Sequence, residues 1–128
     1  MPSVDEIMSR DVLCVDGSAS LVDAAERMHG RRVGAVVVLE GKRLVGILTE
    51  RDVLRAVATG QVAGTVGDAM TASPDTIEAD ESSGQAAALM IHGGFRHLPV
   101  VDGDDLVGMV SIRDLVRLTV EDEAPRGA

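Results

Sequence analysis

The apolar residues of this chain follow two spacings, and the spacing changes several times along it. Leu21, Ala24, Ala25 and Met28 fall three, one and three residues apart, which predicts a helix with one apolar face. Ser20-Leu-Val-Asp23 before them is a looser relative of the capping box, and Gly30 is expected to end the helix. Ala35–Leu39 and Leu44–Leu48 are almost unbroken apolar runs, as expected of strands covered on both faces. The Glu40-Gly41-Lys42-Arg43 segment between them is a hairpin signal. Upstream, Val12–Val15 reads as a short strand, closed by an Asp16-Gly17-Ser18 turn. Downstream, a second helix is predicted from Thr49, with Val53, Leu54 and Val57 on one side.

This β-α-β-β-α pattern occurs twice. Leu44–Arg55 returns 62 residues later as Leu106–Arg117, and the offset holds along both halves without a gap. In the second copy Ser82-x-x-Gln85 fits the capping box proper, and Ala86, Leu89 and Met90 supply the apolar face. Gly93-Gly94 is the stop, Asp102-Gly103 sharpens the hairpin signal, and the last helix opens at Ser111 with Leu115, Val116 and Leu118. Met8, Met28, Met70 and Met90 recur in register and read as core fillers. A unit of about 60 residues buries too little surface to stand alone. The expected fold is therefore α+β (mixed α/β), with repeats at 4–60 and 65–121 packed sheet to sheet about a pseudo-twofold axis. Gln61–Gly64 is the expected linker, and 122–128 a polar tail.

Charge narrows the functional classes. A net charge of −9 opposes binding to nucleic acid or anionic lipid. Without Trp or Tyr, and with Phe95 as the single aromatic residue, no base-stacking platform can be assembled. No apolar run reaches membrane-spanning length, and Met1-Pro-Ser-Val-Asp lacks the features of a signal peptide, so a cytoplasmic protein is expected. Cys14 has no cysteine partner and reads as a small strand residue. His29 and His92 stand at no metal-ligand spacing. No catalytic set and no metal site are expected.

The chemistry concentrates where each hairpin runs into its second helix. Thr49 precedes Asp52 by three residues, and Ser111 precedes Asp114 by three. Helix capping alone accounts for that spacing: the hydroxyl accepts an N–H, and the acid reaches back to the cap. Three features suggest more. Gly46 and Gly108 in the incoming strands leave room for close approach. The helix N-terminus offers N–H donors suited to phosphate oxygens. A carboxylate there can accept both hydroxyls of a ribose. Sugar, phosphate and an aliphatic slot for a base together describe an adenosine-nucleotide site.

Three segments carry a specific resemblance: Leu44-Val-Gly-Ile-Leu-Thr-Glu-Arg-Asp52, Phe95-Arg-His-Leu-Pro-Val-Val-Asp102 and Leu106-Val-Gly-Met-Val-Ser-Ile-Arg-Asp114. The chain resembles a tandem pair of CBS (cystathionine β-synthase) domains, a Bateman module, over nearly its whole length. The resemblance implies a stand-alone regulatory module with no obligatory cofactor. Its ligand would be AMP, ADP or ATP, which would make it an energy sensor, or S-adenosylmethionine. It further implies ligand clefts between the repeats, a homodimer and an unidentified regulated protein. Thr49 and Asp52 would form one cleft, and Ser111 and Asp114 the other. Arg51 and Arg113, each just before the Asp, could help either site or be solvated first-turn residues. The lead-in and first strand of the opposite repeat would complete each. That places Met8 to Val15, with Val12 and Val15, beside Asp114, and Met70 to Ile77 beside Asp52. Arg96 and His97 enter the strand beside Ser111, where repeat one has Gly34 and Ala35, so cationic capacity favours the Asp114 cleft. The alternatives are a dimerisation or interaction module without a ligand, and an enzyme.

Overall fold

A computed structural model describes residues 1–122. The elements run α1 (Val4–Ile7), β1 (Cys14–Asp16), α2 (Leu21–Arg31), β2 (Ala35–Glu40), β3 (Arg43–Thr49) and α3 (Glu50–Ala58). The second series is α4 (Val66–Ala69), β4 (Thr71–Ala72), β5 (Ile77–Glu78), α5 (Ser83–Gly93), β6 (His97–Asp102), β7 (Asp105–Ser111) and α6 (Ile112–Asp122). The protein is mixed α/β with two sheets. Most of the expected 122–128 tail lies outside the described residues; Asp122 still belongs to α6.

The chain divides into two compact units, and their boundaries differ from those of the repeats. One unit holds residues 12–74, and the other holds residues 1–11 together with 75 onward. Each unit thus contains one repeat and the lead-in of the other.

In the 12–74 unit the sheet order is β1-β2-β3-β4, with β1 parallel to β2 and the remaining pairs antiparallel. Val36, Val38 and Leu48 pack with Leu21, Ala24 and Met28 of α2, three of the four residues of its predicted apolar stripe, while Ala25 is half-buried. Val37, Ala35 and Ile47, at the alternating positions, are buried as well, so β2 and β3 are covered on both faces. Two details depart from expectation. Gly30 lies inside α2; the helix ends one residue after it, and Arg32 takes the left-handed conformation at φ 55°. Thr71–Ala72 adds a fourth strand against Gly46 and Ile47.

In the other unit β5 pairs parallel with β6, and β6 pairs antiparallel with β7. Ile77, Leu98, Val100 and Val110 form its core with Ala86 and Met90 of α5. Gly94 ends α5 in the left-handed region at φ 71°. The hairpin irregularity recurs at the same offset, between Val38 and Leu39 and between Val100 and Val101. Ser82 caps α5 by accepting the Gln85 N–H at 3.1 Å, but the Gln85 side chain does not return the bond, so the box expected there is half closed. Closed boxes occur at Thr65–Asp68 and at the two candidate motifs.

The second helices present a split face. Asp52 and Ala56 of α3 are buried, while Leu54 and Val57 are 68% and 58% exposed. In α6, Leu115 and Leu118 are half-buried and Val116 is exposed.

Candidate ligand sites at two strand–helix junctions

Thr49 is the last residue of β3 and the N-cap of α3. Its hydroxyl accepts the Asp52 N–H at 3.3 Å, and Asp52 Oδ2 accepts the Thr49 N–H at 2.9 Å and the Thr49 hydroxyl at 3.1 Å. Ser111 and Asp114 repeat the arrangement. Asp114 Oδ2 takes the Ser111 N–H at 2.7 Å and its hydroxyl at 3.0 Å, and the Asp114 N–H reaches Ser111 Oγ at 3.2 Å. Each carboxylate also sits in the first turn of its helix, where the macrodipole favours a negative charge. The capping interpretation of the motif is thus correct at both places, and any ligand must use what capping leaves over.

The two junctions differ in what is left over. Asp52 Oδ1 accepts Arg55 Nη1 at 3.2 Å and the Thr71 hydroxyl at 3.2 Å, and the side chain is 3% exposed. Asp114 Oδ1 faces Arg117 Nη1 at 3.7 Å, an ion-pair distance beyond hydrogen-bond reach, and its side chain is 14% exposed. Sequence reasoning named none of the three partners, although the Met70 to Ile77 segment expected beside Asp52 contains Thr71. Arg55 and Arg117 were signalled by their recurrence three residues after each Asp, and Thr71 by the hydroxyl residue Ser9 at the same offset.

The strand glycines serve the chain itself. A Cβ at Gly46 would meet the Met70 thioether and come within 3.0 Å of the Thr71 carbonyl oxygen. At Gly108 it would meet Met8 and come within 2.8 Å of the Ser9 carbonyl oxygen. The expectation that they leave room for a ligand is corrected: the lead-in segment fills that space in each unit. Ser9 exchanges both backbone bonds with Met109, at 2.8 and 2.9 Å.

Other expected site residues fall as follows. His97 stands opposite Ser111 in the β6–β7 ladder, and the Arg96 carbonyl accepts the Ile112 N–H at 2.9 Å. The counterpart of that bond in repeat one runs from Glu50 N–H to the Gly34 carbonyl at 3.0 Å. The structure therefore brings Arg96 and His97 to the start of α6, with the Arg96 side chain in solvent. Arg51 and Arg113 are exposed on the first turns of α3 and α6. Val12 is half-buried ahead of β1. Val15 is enclosed in the core of the 12–74 unit, and Ile77 in the core of the other. Among the described residues no group of His, Cys, Asp and Glu is placed to hold a metal, and no helix is long and apolar enough to cross a membrane.

The family of CBS domains matches this sequence twice, at residues 4–59 and 66–121. The chain belongs to the CBS domain family. It is 34% identical to the CBS domain-containing protein YhcV of Bacillus subtilis, over 100% of this chain and 93% of that one. The solved structure of a putative signal-transduction protein with CBS domains from Burkholderia ambifaria superposes with a TM-score of 0.92 at 32% identity, covering 99% of this chain and 100% of that one. The CBS domain pair of protein MJ0100, solved in complex with 5'-methylthioadenosine and S-adenosyl-L-methionine, gives 0.90 at 26% identity over 95% and 98% of the two chains. CBSX2 in complex with AMP gives 0.81 at 27% identity over 96% and 99%. The offset of 62 residues is thus the spacing of two CBS repeats.

Proposed function

We propose that this CBS pair is a regulatory module that binds an adenosine-containing ligand, of the AMP, ADP, ATP or S-adenosylmethionine class, and passes its occupancy to a partner protein. The observation that carries the reading is the state of Asp114. Its Oδ2 is spent on capping, while its Oδ1 has no donor within hydrogen-bond distance among the described residues, and the side chain keeps partial exposure. A half-satisfied carboxylate beside helix N–H donors suits a ribose carrying a phosphate. The adenosine-containing ligands of MJ0100 and CBSX2 support the same class.

Regulation rather than catalysis fits the groups at the junctions. The hydroxyl and the carboxylate of each motif are bonded to one another and to the first turn of the helix, so both groups are engaged as caps. In this reading the module works as a homodimer, and the exposed Leu54, Val57 and Val116 supply apolar surface for it.

Calorimetric titration with AMP, ADP, ATP, S-adenosyl-L-methionine and NAD, with product analysis of each mixture, tests the proposal. Binding without turnover is the expected result. Turnover would make the chain an enzyme. Absence of both would leave a module that only assembles with other proteins.

A further inference from the structure

We propose, building on the ligand-binding reading above, that only the Ser111–Asp114 junction takes a ribose, and that Thr71 is the residue that closes the Thr49–Asp52 junction.

A carboxylate offers about four lone-pair positions. Asp52 has four donors on them: Thr49 N–H at 2.9 Å, Thr49 Oγ1 at 3.1 Å, Arg55 Nη1 at 3.2 Å and Thr71 Oγ1 at 3.2 Å. A vicinal diol needs two acceptor positions, so it must displace two of those donors. On Asp114 two donors occupy Oδ2, and Arg117 stands off at 3.7 Å from Oδ1. Among the described residues two positions are open there, which is what a diol requires.

Of the donors on Asp52 Oδ1, Arg55 is the easier to move. Its side chain is 60% exposed, much like Arg117 at 58%, so both guanidinium groups can swing into water. Thr71 is held by its backbone. It belongs to β4, pairs with Ile47 of β3, and follows Met70, which packs against Gly46. At the same offset the other unit has Ser9, which is fixed by its own backbone bonds to Met109. Among the described residues, Ser9 Oγ makes no bond to Asp114. The pairing of lead-in to strand is the same in both units, and beyond the movable Arg55 one hydroxyl bond separates a closed junction from an open one.

The test is calorimetry of the full chain with AMP, and with S-adenosyl-L-methionine as a second probe. One equivalent should bind per wild-type chain. Asp114→Asn should weaken that event at least tenfold. Thr71→Val keeps the shape of the side chain and removes its donor, so it should add a second, weaker event and leave the first within twofold. Asp52→Asn risks misfolding because four donors converge on a buried group, so the Thr71 variant and the wild-type stoichiometry carry the decision. Two equal events in the wild type, an Asp114→Asn variant that binds normally, or a Thr71→Val variant that stays at one equivalent would each overturn this inference while the ligand-binding reading stands. No binding of either probe by folded wild type would remove both.

Discussion

Gly46 faces Met70 so closely that the smallest possible side chain on Gly46 would collide with the Met70 thioether. The same relationship holds between Gly108 and Met8. A methionine side chain can move aside, but the carbonyl oxygens of Thr71 and Ser9 behind it belong to paired backbone. Gly46→Ala and Gly108→Ala should each destabilise the fold by about 1–3 kcal/mol, the range for overpacking. Gly108→Ala should be the worse, because its carbonyl stands at 2.8 Å against 3.0 Å. Gly30 is the control. It lies inside α2 with nothing within 4 Å of a built Cβ, so Gly30→Ala should stabilise by up to about 1 kcal/mol. Urea denaturation of the three variants checks the order.

Ser83 occupies the place in α5 that Leu21 occupies in α2, and both are fully buried. The Ser83 hydroxyl is buried, and among the described residues it has no hydrogen-bond partner. An unsatisfied buried hydroxyl costs about 1–3 kcal/mol, and Ala is the better helix former. Ser83→Ala should therefore raise the thermal midpoint. A lower midpoint would mean that the hydroxyl is hydrogen-bonded in solution.

The periodic elements were legible in the sequence because their causes are local. Apolar spacing marked α2 and α5, unbroken apolar runs marked the hairpins, and Gly94 marked the end of α5. Gly30 misled because a glycine inside a helix costs only about 1 kcal/mol, which the packing of Leu21, Ala24 and Met28 offsets. The site was half legible. Thr49 with Asp52, and Ser111 with Asp114, follow from three-residue spacing on one helix turn. Thr71 on Asp52 spans 19 residues of sequence and depends on how β4 docks on β3, which no local pattern encodes. The role of the strand glycines was misjudged for the same reason, since Met70 and Met8 reach them through tertiary pairing.

Cys14 should behave as a protected thiol. Burial pushes its pKa up from the ordinary value of 9.0, and nearby Arg27 opposes that only in part. The thiolate is the reactive form, so Cys14 in folded protein should react more slowly with iodoacetamide at pH 8 than in urea. The raised folded pKa also sets a sign for stability. Between the unfolded and the folded pKa the native state holds the proton more tightly, so this contribution is complete below the unfolded pKa and is lost as pH rises through the folded one. Cys14→Ala should flatten that alkaline limb in denaturation curves taken from pH 7 to 10.5. An unchanged limb would assign it to other groups.

The last prediction separates the two junctions by charge. Arg96 lies at the start of α6 through the bond from Ile112 N–H to its carbonyl, and its side chain is in solvent. The matching position at the start of α3 is Gly34, which carries no charge. A ribose on Asp114 therefore brings a 5'-phosphate toward a region with a guanidinium, and a ribose on Asp52 does not. AMP and ATP should bind more tightly than adenosine. An exposed contact of this kind is worth up to about 1 kcal/mol at low salt, and the gap should narrow as ionic strength rises past the point where the Debye length falls to about 8 Å. Arg96→Ala should remove most of the gap and leave adenosine affinity nearly untouched, because adenosine offers no charge to lose. Titrating the three ligands against wild type and Arg96→Ala at two salt concentrations reads all of this at once. Equal losses for all three ligands would show that Arg96 shapes the junction sterically. A gap that ignores salt would show that the phosphate is held by the helix N–H groups instead.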